Sequence, residues 1–140
     1  MKQFADLPEN EIMALTIYGE ARGEPYLGKV AVGSVILNRV DHRDWDGKTI
    51  KEVCLKHKQF SCFNEKDDNY PILSNIAQNP TLEASRNRVF KICLDIATDM
   101  IAGKIERITE GLDYHAVGTT PYWQPTKRRV DKIGRHIFYV

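Results

Sequence analysis

The segment Tyr18-Gly19-Glu20-Ala21-Arg22-Gly23-Glu24-Pro25 sets a carboxylate at the end of an apolar run. At helical spacing Glu20 lies one turn after Thr16, beside the face that carries Ile12 and Gly19. The negative end of a helix macrodipole disfavours an ionised carboxylate, and partial burial disfavours it further. Both effects raise the pKa, which suits a general acid near neutral pH. Spacing alone leaves a plainer role open, an exposed salt bridge from Glu20 to Arg22 or Arg39. Glu24 is the possible second carboxylate, four residues on and just before Pro25. Two acids at one helix end do not straddle a substrate, so its expected role is to shape the helix exit. The four histidines show no HExxH or similar spacing, and the three cysteines follow no ligand pattern. No metal and no cofactor is expected.

The elements that position these residues are mostly helices. Asp6-Leu7-Pro8-Glu9 reads as a helix start, with Asp6 as cap and Glu9 completing a capping box, for a helix running to about Ala21. Val30 to Val40 suits a mostly buried helix, and Thr49 to Leu55 a short one with a Thr49/Glu52 capping box. Asn64 to Pro80 is rich in Asn, Asp, Pro and Ser and reads as a long surface loop. Thr81 to Ala102 is the clearest helix, with Ser85, Val89, Ile92, Cys93, Ile96 and Met100 inward and Gly103 as its stop. Beyond it, Tyr114-His115-Ala116 and His136-Ile137-Phe138-Tyr139 read as short extended segments. The fold class expected is mainly α (α+β), one domain over residues 1–140 with a small C-terminal extended element.

Composition narrows the rest. The chain has 140 residues, 42% hydrophobic and 28% charged, with a formal net charge of +1. That balance, without a reading motif, argues against a nucleic-acid partner. The cluster Lys127, Arg128, Arg129, Lys132 and Arg135 is expected to be a solvated basic face. No apolar stretch has the length of a membrane span, and the N-terminus lacks a signal-peptide core. Cys54, Cys62 and Cys93 are odd in number, so free thiols in a reducing cytosol are expected.

The run from Ile17 through Glu20 and Pro25, then Gly28-Lys29-Val30-Ala31-Val32 and Val35-Ile36-Leu37-Asn38-Arg39-Val40, closely resembles the SleB-type cell-wall hydrolases. That family includes spore cortex-lytic enzymes and some phage endolysins. Gln59-Phe60-Ser61-Cys62, Tyr114-His115-Ala116 and Ile133 to Tyr139 extend the resemblance in the family's order. It implies a lysozyme-like fold related to lytic transglycosylases. It also implies cleavage of the β-1,4 bond between N-acetylmuramic acid and N-acetylglucosamine, with Glu20 as the catalytic acid. One departure is Phe63, where the family often has Trp.

Peptidoglycan glycan strands are thus the implied partner. Tyr18, Phe60, Ser61, Tyr114, His115, Tyr122 and Trp123 are the candidate substrate-binding residues, since sugar rings stack on aromatic faces. For Phe60 a place in the core is the competing role. His115 is a candidate to orient substrate or to bond Glu20, and His136 is read as structural. Without a signal peptide or wall-binding domain, the expectation is a phage endolysin. It would be made in the host cytoplasm, with holin-dependent release to the wall. Three alternatives stay open: a hydrolytic muramidase, an N-acetylmuramoyl-L-alanine amidase, and a non-catalytic wall-binding module.

Overall fold

The computed structural model describes residues 1–140. Six helices come first: α1 (Glu9–Ala21), α2 (Tyr26–His42), α3 (Ile50–Leu55), α4 (Tyr70–Gln78), α5 (Pro80–Arg86) and α6 (Arg88–Ile101). Three short strands follow: β1 (Asp113–Ala116), β2 (Arg129–Ile133) and β3 (His136–Tyr139). They form one antiparallel sheet in the order β1-β3-β2, with Tyr114 opposite Phe138. A bulge between Arg129 and Asp131 interrupts the β2–β3 register.

The first helix is central. All residues from Ile12 to Ile17 are buried, so this stretch has no solvent face, and apolar residues surround it. Residues 28 to 36 of α2 are likewise buried without a break, which accounts for a valine-rich run folding as a helix. The amphipathic helix α6 closes the core from one side with Phe90, Cys93, Ile96, Ala97 and Met100. A second, smaller cluster joins Ala31 and Val35 of α2 to Phe138 of β3, with Tyr114 packed against it. The sheet is thereby fixed on α2.

Four sequence expectations change. Asp6 does not cap α1; it ends a 3-10 turn, Phe4–Asp6, where its carboxylate accepts from Gln3 N. Glu9 is instead taken by the amide of Lys51, which pins α3 to the start of α1. The stretch from Asn64 to Pro80 is not all loop. It contains α4, with Pro71 in the first turn and Leu73, Ile76 and Ala77 buried. The single helix expected from Thr81 to Ala102 is two, broken at Asn87. Asn87 has extended backbone, and its side chain accepts from Phe90 N to start α6. The break moves the inward face to Phe90, leaving Ser85 and Val89 exposed. Finally, β2 runs through the basic cluster, where Val130 and Ile133 pack on the smaller core.

Other local expectations hold. Thr49 Oγ1 accepts from Glu52 N at the start of α3, although the Glu52 carboxylate turns to Lys48 N and only half of the capping box forms. Gly103, with φ +77°, follows the end of α6. All three cysteines are unpaired and buried. No helix is long and apolar enough to cross a membrane.

Candidate active site

Glu20 is the penultimate residue of α1. Gly19, immediately before it, admits the 3-10 turn Ser61–Phe63 against the helix backbone. A Cβ on Gly19 would meet Cys62 Cβ at 2.7 Å, Cys62 Sγ at 2.8 Å and Leu73 Cδ1 at 3.1 Å. This close approach puts Cys62 beside the Glu20 carboxylate. From the other side the Tyr114 hydroxyl donates a 2.7 Å hydrogen bond to Glu20 Oε1.

These surroundings leave the Glu20 pKa raised above its ordinary value of 4.5. Burial is the main cause and Asp67 adds like charge, while hydrogen bonds from Tyr114 and Cys62 pull the other way. Burial holds the Tyr114 phenol well above its usual range and the Cys62 thiol above its own, with Glu20 adding to both. Both neighbours are therefore proton donors to the carboxylate. Neither cation considered from the sequence pairs with Glu20. Arg22 lies over the Tyr18 ring, and Arg39 is engaged with Asp46 and Asp113.

Glu24 occupies a different environment. Its Oε1 accepts from Arg135 N at 2.7 Å, and its Oε2 lies 3.3 Å from Arg135 Nε. Gly134, at φ +59°, leaves room for that carboxylate; a Cβ there would stand 2.5 Å from Glu24 Oε1. Lys29 Nζ donates to the Glu24 carbonyl. Burial pushes the Glu24 carboxyl up, but the Arg135 amide and the neighbouring His136 and Arg135 charges outweigh it. The net pKa is lowered. Glu24 thus clasps the β2–β3 hairpin to the α1–α2 corner.

The other candidates divide. Tyr114, Tyr122 and Trp123 meet at a concavity of about 370 Å³, with Gln59 and Lys58 on its wall. Tyr122 is 94% exposed on its rim. Ser61 is exposed at the start of the turn that leans on Glu20. Phe60 is not available to a sugar: it is buried in the main core, with the Arg39 guanidinium 4.9 Å from its ring centroid.

Tyr18, two residues before Glu20, projects to a different side of α1. It packs edge-on to Phe90 and accepts from Asn87. His115 does not reach Glu20, because strand alternation turns it to the face opposite Tyr114. There it stacks on Tyr139 and bonds the Tyr139 hydroxyl at 2.9 Å. His136 is buried beside Glu24.

Several lining residues were not singled out from sequence. Arg39 and Arg43 of α2 and its C-terminal end hold Asp46 and Asp113, and Lys127 reaches Asp113 at 2.8 Å. Trp45, 60% exposed, covers Arg43 at 4.2 Å and forms another edge of the concavity. An aromatic in the tight Asp44-Trp45-Asp46-Gly47 turn was the available clue. A larger concavity, about 830 Å³ beside Asn38, Arg107 and Arg129, touches none of the groups around Glu20.

Comparison with known proteins assigns the family and the fold. The chain belongs to the cell wall hydrolase family, whose profile matches residues 23–139, from just beyond Glu20 to the end of the last strand. It is similar to the catalytic domain of the germination-specific lytic transglycosylase SleB from Bacillus anthracis. That match has a TM-score of 0.66 and 28% identity, over 100% of this chain and 97% of the other. The SleB catalytic domain of Bacillus cereus matches with TM-score 0.62 and 29% identity, over 94% and 89% of the two chains.

Among curated proteins, a spore cortex-lytic enzyme of Bacillus cereus is 30% identical over 134 residues. The match takes in 91% of this chain but 42% of that protein, so the chain spans under half the length of this relative. A spore cortex-lytic enzyme of Halalkalibacterium halodurans is 64% identical over a 31-residue stretch. The architecture is therefore that of the SleB catalytic domain, a lysozyme-like lytic transglycosylase fold.

Proposed function

We propose that the chain cleaves the β-1,4 glycan bond of peptidoglycan as a lytic transglycosylase, with Glu20 as its single catalytic acid. The observation that carries this reading is the Glu20 carboxyl: desolvated, raised in pKa, and held at 2.7 Å by the Tyr114 hydroxyl. A raised pKa suits a carboxyl that must still carry its proton when it meets a leaving oxygen. A glycosidase of the ordinary kind adds a second carboxylate across the bond. Here Glu24 is committed to Arg135, and Asp67, the acid that adds like charge to Glu20, accepts from Asn69 N in the turn before α4. A one-acid route closes the chemistry. Glu20 protonates the bridging oxygen, the substrate's N-acetyl group shields the positive charge, and Glu20 then takes the proton of the C6 hydroxyl. That oxygen bonds to the anomeric carbon as a 1,6-anhydro ring, with no water consumed.

Mass analysis of fragments released from purified peptidoglycan tests the reading. Anhydro ends, one water lighter than reducing ends, are expected, and Glu20→Gln should abolish them. Reducing ends only would make the enzyme a muramidase, and free peptides an amidase. Two settings differ in how the enzyme reaches the wall. The relatives' names favour germination-linked cortex lysis, whereas the endolysin setting needs holin-dependent release. Co-expression with and without a holin decides the second, by whether culture lysis requires it.

A further inference from the structure

The concavity beside Tyr114 has a composition that a neutral sugar does not require. Arg39 and Arg43, at the C-terminal end of α2, meet Lys127 from the loop before β2 and Lys58 from the turn after α3. Against these four cations stand two carboxylates, Asp46 and Asp113, so two positive charges are uncompensated. Lys58 has no ion-pair partner, and Arg39 Nη1 is buried without a hydrogen bond. Lys58 is also the one non-glycine residue with positive φ, at 65°, a conformation that disfavours a lysine. Arg39 Nη1 lies below the surface, so the free cation on the wall is Lys58, on a strained turn after α3. Trp45 and Tyr122 stand at its edges, and Tyr114 runs from its wall to the Glu20 carboxylate.

We propose that this concavity binds a carboxylate of the peptide branch carried by the muramoyl sugar, and so selects peptide-bearing glycan for cleavage at Glu20. The proposal rests on the glycan-cleaving reading above. A peptide branch that is not cross-linked ends in a free carboxylate, while the sugar backbone that threads past Glu20 is neutral between its branches. Guanidinium and ammonium groups in a partly desolvated wall bind carboxylates through charge-assisted hydrogen bonds, which are stronger than neutral ones. Asp113 already holds Arg39, Arg43 and Lys127 in place, so the cations are oriented before substrate arrives. Lys58 then closes on the branch as a point charge.

The test compares two substrates, intact peptidoglycan strands and the same strands with their peptide carboxylates converted to neutral methylamides. Wild type is expected to prefer the intact strands, read as the ratio of kcat/KM values. Lys58→Asn removes the charge and places a residue that tolerates positive φ, so its melting temperature should not fall. In this variant the preference ratio should drop about fivefold, and Lys58→Arg should restore most of it. No preference in wild type, or an unchanged ratio in Lys58→Asn, overturns the proposal alone. Wild type that releases no glycan fragments from either substrate overturns the glycan-cleaving reading, and the proposal with it.

Discussion

Two carboxylates four residues apart, Glu20 at the end of α1 and Glu24 at the corner beyond it, are driven in opposite directions. Both are desolvated. Glu20 meets only neutral donors, a phenol, a thiol and the Cys62 amide, and a nearby acid, so burial dominates and its proton is held more tightly. Glu24 meets a backbone amide, a guanidinium and an imidazole, and they overcome burial. A carboxylate facing only neutral donors holds its proton; one that faces cations as well gives it up and clasps them. Position on the helix does not decide between the two outcomes, because the deciding partners arrive from elsewhere. Cys62 and Tyr114 serve Glu20, and the β2–β3 turn serves Glu24.

Exchanging each carboxylate for its amide separates these roles. The largest expected effect is on turnover: Glu20→Gln should lose activity on purified peptidoglycan by roughly 10²-fold or more, with its circular dichroism unchanged. Glu24→Gln should keep most of its kcat. A comparable loss in a well-folded Glu24→Gln would erase the contrast. Next in size is stability. Glu24→Gln weakens the bonds to Arg135 and should cost about 1–3 kcal/mol. Gly134→Ala should cost a similar amount, since its Cβ has no room beside Glu24 Oε1 and its φ is positive. Urea titration measures both, and midpoints matching wild type would show that the clasp is slack.

The pH dependence of stability should have opposite sign at the two residues. The raised pKa of Glu20 makes the folded state bind more protons than the unfolded chain. Its ionisation therefore subtracts stability as pH rises from about 4.5 through the folded value. The lowered pKa of Glu24 contributes stability above 4.5, and that contribution is lost as pH falls through the depressed value. Relative to wild type, Glu20→Gln should gain stability as pH rises from about 4.5 to neutrality. The gain should be about 1.4 kcal/mol for every tenfold by which folding tightens the hold on that proton. A difference that stays flat with pH would mean that Glu20 is solvated.

The smallest effect sharpens the picture of the acid itself. Tyr114→Phe removes the 2.7 Å hydrogen bond to Glu20, which favours the ionised form. Its absence should move the alkaline limb of the activity profile to higher pH, with a modest change in the maximum. A limb moving to lower pH would show that the phenol holds the protonated acid instead.

How much of this was legible in the chain follows from the range of each interaction. The first helix, its end near Gly23, the Thr49 cap and the Gly103 stop are local events, written in neighbouring residues. Spacing marks Glu20 as a carboxylate at a helix end but leaves an exposed salt bridge open, and only the family resemblance points to it as the acid. The helix Tyr70–Gln78 was hidden because Asn69 and Pro71 are loop residues and helix starters alike, and Leu73, Ile76 and Ala77 betray only one short turn of spacing.

The break at Asn87 was hidden because its side chain replaces a helical bond by capping Phe90 and reaching Tyr18. Phe60 was a groove candidate with the core as its competing role, and the core role is the one found. Its segment brings Cys62, two residues on, to Gly19. The cationic concavity draws on separated segments, from Arg39 to Lys127, and no spacing rule joins those.

The close approach at Gly19 also bears on when activity appears. In the unfolded chain Glu20 is an ordinary carboxylate next to Gly19. It becomes a strong proton holder only after Ser61–Phe63 has docked on α1 and Tyr114, 94 residues along the chain, has closed over it. Loop-closure entropy opposes contacts of such sequence separation, so these surroundings exist only once the chain has closed on itself. A nascent or partly melted chain therefore carries Glu20 as an ordinary carboxylate, and the raised pKa is a property of the finished fold.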